Sequence, residues 1–174
     1  MALELRTPVN DVIRHDVAVA DADNLLDPDN SSTSDPCLVA GEWLVPGASG
    51  WDRPAADSGS ELRATAAASQ VFSQKGDFGV QALSKVAVIR SFGYEAETDM
   101  YEAASASGVD YSIGQCLALE TITIDSNTRC ILTNSVTADQ DYVHAVVTAL
   151  PTATASGKLR FMRVSPYVSP VTNA

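Results

Sequence analysis

Lysine is almost absent from this chain. Three lysines and eight arginines face 22 acids in 174 residues, a formal charge of −11 at neutral pH. Sustained phosphate neutralisation needs clustered cations, so direct nucleic-acid binding is disfavoured. Histidine is scarcer still, with only His15 and His144. Acid–base or triad chemistry built on histidine would need one of them beside a suitable partner. His15 adjoins Asp16 and His144 follows Asp141, but adjacent side chains of an extended strand point to opposite faces. His144 therefore reads as a packing or polar residue on a strand. Cys37, Cys116 and Cys130 are odd in number, widely spaced and without a C-x-x-C pair, which argues against a disulfide framework and a thiolate zinc site. They read as small buried hydrophobes. Long apolar runs are missing too: "VAVI" at Val86–Ile89 is far too short to span a bilayer. The opening "MALELRTPVNDVIRHD" carries Glu4 and Arg6 and no apolar h-region, so no signal peptide is expected and folding in a cytosol is.

What remains is an ordinary globular composition, 45% hydrophobic and 19% charged, in a length suited to one domain. The acidity is uneven. Residues 1–60 hold eleven acids against Arg6, Arg14 and Arg53, a balance of −8, while the other 114 residues hold eleven acids against eight bases. The first part therefore predicts an acidic, solvated surface.

From about residue 79 onward, runs rich in Val, Ile, Thr and Tyr alternate with turn residues, the pattern of successive strands. Tyr94, Ala96, Thr98 and Met100 share a face by alternation. In "YSIGQCLALETITI" the alternation passes from Leu117 and Leu119 to Ile122 and Ile124, and the phase change near Glu120 predicts a bulge or bend. "TRCILT", "DYVHAVVTAL" and "KLRFMRV" complete the series, and a further irregularity is expected after Phe161. "VQALSKVAVIR" is one candidate for helical periodicity and reads equally as the strand after the turn-like "KGDFG". "SGSELRATAAASQVFSQKGD" would suit a helix capped by Ser60 or a strand, and strand is preferred, with "ASQVFSQ" as the first arm of a hairpin closed by "KGDFG". The expectation is an all-β, antiparallel barrel or sandwich. Its predicted divisions are an extended N-terminal segment and acidic loop over residues 1–36, a β-domain over 37–165 and a C-terminal tail over 166–174. Turn-rich stretches flank the apolar "CLVAGEWLV".

Few motifs carry chemistry. Asp21, Asp23, Asp27 and Asp29 crowd into "DADNLLDPDN", and hard cations want several oxygen ligands. The EF-hand template fails, because its glycine falls on Leu26 and its closing glutamate on Ser32. A solvated loop of Asx turns is preferred to an irregular calcium site. "DFG" at Asp77–Gly79 lacks the other kinase motifs, and "GASG" places Trp51 where a nucleophile elbow needs glycine, so Ser49 is no credible nucleophile. "NSS" at Asn30–Ser32 is a glycosylation sequon with no secretory signal to expose it. Acidic pairs for hydrolysis carry no information in a chain with 22 acids. Trp43 and Trp51 flank a Pro-Gly loop, where Trp51 could anchor a partner, although packing is the preferred role of both.

Read as a series, "GEWLV", "ASQVFSQKGDFGVQALSKVAVIRSFGYEAETDMYE", "YSIGQCLAL" and "VHAVVTALPTATASGKLRFMRV" resemble a pattern of the head decoration, or cement, proteins of tailed bacteriophages. The matching elements are Gly41–Leu44, Gly76–Asp77, Tyr111–Leu117 and His144–Val164, within about residues 37–165. The resemblance implies a compact, oligomeric β-protein without a catalytic site or cofactor on the outer capsid surface, a dimer or trimer that bridges major capsid subunits. The first forty residues lie outside the resemblance; the leading hypothesis adds to it an N-terminal segment, roughly residues 1–10, that reaches a capsid protein or a sister subunit, with Leu3, Leu5, Arg6, Val9 and Trp51 as the expected partner contacts. The alternatives are a tail or baseplate component, and a β-sandwich hydrolase or carbohydrate-binding module using Trp51, Tyr94 or Tyr101.

Overall fold

Strand-forming runs separated by turn residues become an all-β, antiparallel architecture in the computed structural model. It describes residues 3–7, 14–18, 36–38, 40–48, 50–54, 64–66, 70–71, 85–102, 111–124, 127–138, 140–151 and 157–173. The strands are β1 (Leu3–Leu5), β2 (Arg14–Ala18), β3 (Pro36–Leu38), β4 (Trp43–Gly47), β5 (Gly50–Asp52), β6 (Ala64–Ala66) and β7 (Gln70–Val71). They continue with β8 (Lys85–Ile89), β9 (Glu95–Thr98), β10 (Cys116–Ile124), β11 (Asn127–Thr133), β12 (Tyr142–Ala149) and β13 (Leu159–Val168). A six-stranded sheet runs β1-β9-β13-β12-β10-β11, a five-stranded sheet runs β2-β8-β6-β4-β5, and β3 pairs with β7.

The barrel alternative does not hold. Each large sheet ends in two edge strands, β1 and β11 in one and β2 and β5 in the other. The five-stranded sheet curls until β2 and β5 lie near each other, but no ladder joins them. The main core lies between the two sheets: Trp43 and Ile89 from the five-stranded sheet join Ala96, Leu117, Ala145, Val147, Leu159 and Phe161 from the inner face of the six-stranded one. Cross-strand rows make this face. One row aligns Val147, Phe161, Ala96 and Leu5, and the next aligns Leu159, Thr98 and Leu3. Such rows are the unit by which side chains stabilise a sheet.

The alternation of Tyr94, Ala96, Thr98 and Met100 is realised, with all four buried. The bulge expected at Glu120 is not, since β10 and β11 pair without a register shift from Ala118↔Thr133 to Ile124↔Asn127. Burial on both faces explains the misleading phase. Leu117 and Leu119 face the main core, Ala118 packs outward against Val136 and Val143, and Ile122 packs against Met100 and Ile131. The irregularities lie in the β12–β13 ladder, whose register shifts between Val143 and Ala145 and between Val147 and Ala149. The first skips residues 164–166 of β13, later than expected, because Arg163 continues the inward alternation of Leu159 and Phe161.

Of "VQALSKVAVIR", Lys85–Ile89 is a strand, as the hairpin reading expects. Ala64–Ala66 and Gln70–Val71 are strands as preferred, but the hairpin partner differs: β6 pairs with β8, and β7 pairs with β3. The turn at residues 76–79 lies outside the described residues. Pairing also crosses the expected divisions, because β3 straddles position 36/37 and β13 continues to Val168. The segment after it is tied down: the Ser169 amide donates to Asp141 O, the Asn173 amide to Val136 O, and Asn173 Nδ2 to Cys116 O and Asn134 O.

Gly41 sets the approach of β4 to the core. Its φ is +95°, and a Cβ there would lie 2.5 Å from Thr98 Oγ1, which already accepts the Met100 amide at 2.9 Å. Gly41→Ala should therefore cost on the order of 1–3 kcal/mol from strain and displacement. Gly93 has φ +78° but nothing within 4 Å of its Cβ position. Gly93→Ala carries only the backbone part of the penalty, and thermal melts of the two variants should rank Gly41→Ala as clearly the worse.

Candidate functional site

Two buried charge assemblies fix the interior beside the sheets. Glu42 is fully buried at the start of β4; its Oε1 accepts Arg53 Nε at 2.5 Å and its Oε2 accepts Arg129 Nη1 at 3.1 Å. Arg129 comes from β11, so this carboxylate links the two sheets. The second assembly surrounds Arg163. Its guanidinium lies 4.6 Å from the Trp43 ring centre and 5.2 Å from that of Phe92, and it bonds to the Tyr94 side chain. Burial pulls its pKa below the usual arginine value, and Tyr94 opposes that shift. Trp43 also meets His144 at 5.9 Å and Phe161 at 6.4 Å between ring centres. The β12 register shift makes this meeting possible, turning both His144 and Ala145 inward while Val143 faces out.

The outer face of the six-stranded sheet is the surface on which a partner could act. One cross-strand row aligns Cys116, Val146, Met162 and Glu95; Met162 is 41% exposed. Outward positions of a solvated antiparallel sheet are ordinarily polar, so an apolar row here is notable for contact. Tyr167, equally exposed, brings its hydroxyl 3.5 Å from Cys116 Sγ, and this bond is the main cause of a tyrosine pKa pushed up to about 12.

The neighbouring outer row is charged and aligns Ala149, Arg160, Glu97 and Glu4. Glu97 Oε1 accepts Arg160 Nε at 2.7 Å, and its Oε2 accepts Arg6 Nη2. Glu4 receives Lys158 Nζ and lies 3.5 Å from Arg6. Hydrogen bonding from Arg6, then from Arg160, holds the Glu97 pKa below the carboxylate range despite partial burial. A depressed carboxylate pKa contributes stability that is present above the unfolded value, 4.5, and is lost as pH falls through the folded value. Glu97→Gln should therefore lower the melting temperature at pH 7 and flatten its fall below about pH 4.5, as read from melts across that range.

The expected contact residues divide. Arg6 lies on the outer face, whereas Leu3 and Leu5 pack against the chain's own core and Trp51 is buried on β5 beneath Arg90, 5.7 Å from its ring centre. Val9 and the aspartates at 21, 23, 27 and 29 lie outside the described residues. Trp51, Tyr94 and Tyr101 are at most 8% exposed, so they offer no aromatic platform to a saccharide. Tyr101 instead donates to Gly157 O at 2.8 Å and stacks edge-on against Tyr111 at 5.5 Å. His144 is a buried packing residue, and Cys130 belongs to the core. Among the described residues no group of three or more His, Cys, Asp or Glu could hold a metal ion, and no helix is long and apolar enough to cross a membrane.

Sequence reasoning missed Glu42, Arg129 and Arg163 as interior charges, and the outer apolar row. The signals were present: Arg163 continues the period of Leu159 and Phe161, and the adjacent pairs Val146–Val147 on β12 and Phe161–Met162 on β13 make both faces of these two strands apolar. No protein-family model, curated protein or solved structure matches this chain.

Proposed function

We propose that this is a virion structural protein that binds the outer surface of an assembled capsid and stabilises the lattice by bridging major capsid subunits. The observation that carries the reading is the convergence of the segments resembling phage decoration proteins. Trp43 of the "GEWLV" stretch packs on His144, Phe161 and Arg163 of the closing hairpin, and Leu117 and Tyr111 of "YSIGQCLAL" join the same cluster. Residues far apart in sequence thus support one packing unit, as a shared fold would require.

The outer face supports a binding role. Its apolar row lies on three adjacent central strands, and beside it the charged row is held by ion pairs, which limits the ordering cost of contact. A ligand that binds only the assembled lattice lowers that state's free energy by mass action, and many copies multiply a modest contact. The test is to compare heads with and without the protein. It should copurify with heads and raise their melting temperature; absence from purified heads, or unchanged head stability, overturns the reading.

A further inference from the structure

We infer that β1 is a dimer edge: two copies of this chain join by antiparallel pairing of Leu3–Thr7 about a two-fold axis at Leu5, which makes their six-stranded sheets continuous. This goes beyond the capsid-surface reading and stands independently of it.

The backbone leaves this edge open. β1 pairs with β9 on one side, and among the described residues no strand pairs with its other side. The Arg6 amide donates to Glu95 O, so Arg6 and Glu95 are a hydrogen-bonded pair, and by alternation Glu4 and Glu97 are another. β13 takes the main chain of the intervening β9 residues, with the Arg163 amide donating to Tyr94 O, which fixes the same alternation from the other side. The N–H and C=O groups of Leu3 and Leu5 therefore point away from β9, toward the open edge. Their side chains, packed against the core from one side, are only partly buried.

Proteins usually blunt an open edge with a short strand and charged side chains. The charges here choose a partner instead. Glu4 and Arg6 share the outer face and are 48% and 42% exposed. With Leu5 opposite Leu5 of the second copy, Glu4 of each chain faces Arg6 of the other, and opposite charges directly across a ladder stabilise it. The register that sets Leu3 opposite Leu5 puts Glu4 against Glu4, and like charges there are destabilising. On the inner face, the row of Val147, Phe161, Ala96 and Leu5 runs on into its own copy. Elsewhere, two chains that each carry −11 repel. At this edge Arg6, Lys158 and Arg160 are matched by Glu4, Glu95 and Glu97, so the local charge cancels and a second copy meets no repulsion there. A strand this short buries little area, so the dimer is reversible and grows with concentration.

The test is sedimentation of the whole protein over a concentration series, for wild type, Glu4→Arg and Arg6→Glu. Wild type should pass from monomer to dimer. Each variant alone sets like charges opposite each other across the axis and should weaken dimerisation roughly tenfold. An equimolar mixture of the two should restore it as a heterodimer, because the new arginine of one faces the new glutamate of the other. Amide exchange of wild type gives a readout that needs no variant: the Leu5 amide should gain protection as concentration rises, while the Arg6 amide, already bonded to Glu95, is protected throughout. A monomer at every concentration, a dimer unaffected by both variants, or a Leu5 amide indifferent to concentration overturns the edge pairing. So does a trimer, because a two-fold contact of this kind closes at two copies. Heads that take up a protein found to be monomeric leave the capsid reading intact and sink only the dimer; a dimer that heads do not take up does the reverse.

Discussion

Trp43→Ala is expected to lower the melting temperature by roughly 6–20 °C, from a loss of about 3–5 kcal/mol for a buried tryptophan and about 2–4 °C per kcal/mol at this chain length. Trp43 is fully buried where the sheets meet, and its ring is shared by His144, Phe161 and Arg163. Truncation opens a cavity and also removes the face on which a desolvated guanidinium rests, so the loss should fall in the upper half of that range. Trp43→Phe keeps a ring beneath Arg163 and should recover part of it. Urea unfolding of the three proteins checks this; a Trp43→Ala loss below about 1 kcal/mol would remove Trp43 from the centre of the core.

Glu42→Ala should be comparably severe, at about 3–5 kcal/mol, because it strips the carboxylate from two arginines in the interior. Glu42 is fully buried, and the side chains of Arg129 and Arg53 are 3% and 13% exposed, so solvent cannot replace what is lost. A buried charge that loses its carboxylate costs far more than the intact pair contributes. The double variant Glu42→Ala/Arg129→Met should therefore be more stable than Glu42→Ala alone, with Arg53 preventing full recovery. A double variant no better than the single one would show that the damage comes from lost packing at β4 rather than from charge.

These two residues also mark where sequence reading succeeded and stopped. The class of fold was legible because alternation around Tyr94–Met100 and Leu159–Phe161 needs only one covered face to become visible. It failed at Leu117–Ile122, where Ala118 and Ile122 are covered from the other side and the period blurs. Glu42 was hidden for a different reason: a charge is assigned to the surface unless its partners are known, and its partner Arg129 lies 87 residues away. Strand pairing was equally nonlocal, so Gln70–Val71 was given a hairpin neighbour in place of Pro36–Leu38. At the charged outer row, Arg6 was singled out from the sequence and its ion pair was not, because Glu97 lies 91 residues away on β9.

The strand order of the larger sheet has a consequence for how the protein is made. β13 lies between β9 and β12, and β1 reaches the sheet only through β9. While the ribosome is still working toward residue 159, β9 and β12 each have a bare edge, and the inner apolar rows of the sheet have no central strand to complete them. Nonlocal pairing of this kind folds slowly, and unpaired edges invite the wrong neighbour. The chain therefore stays aggregation-prone through most of its synthesis, and its yield should depend on temperature and chaperone supply more steeply than the stability of the finished fold would suggest.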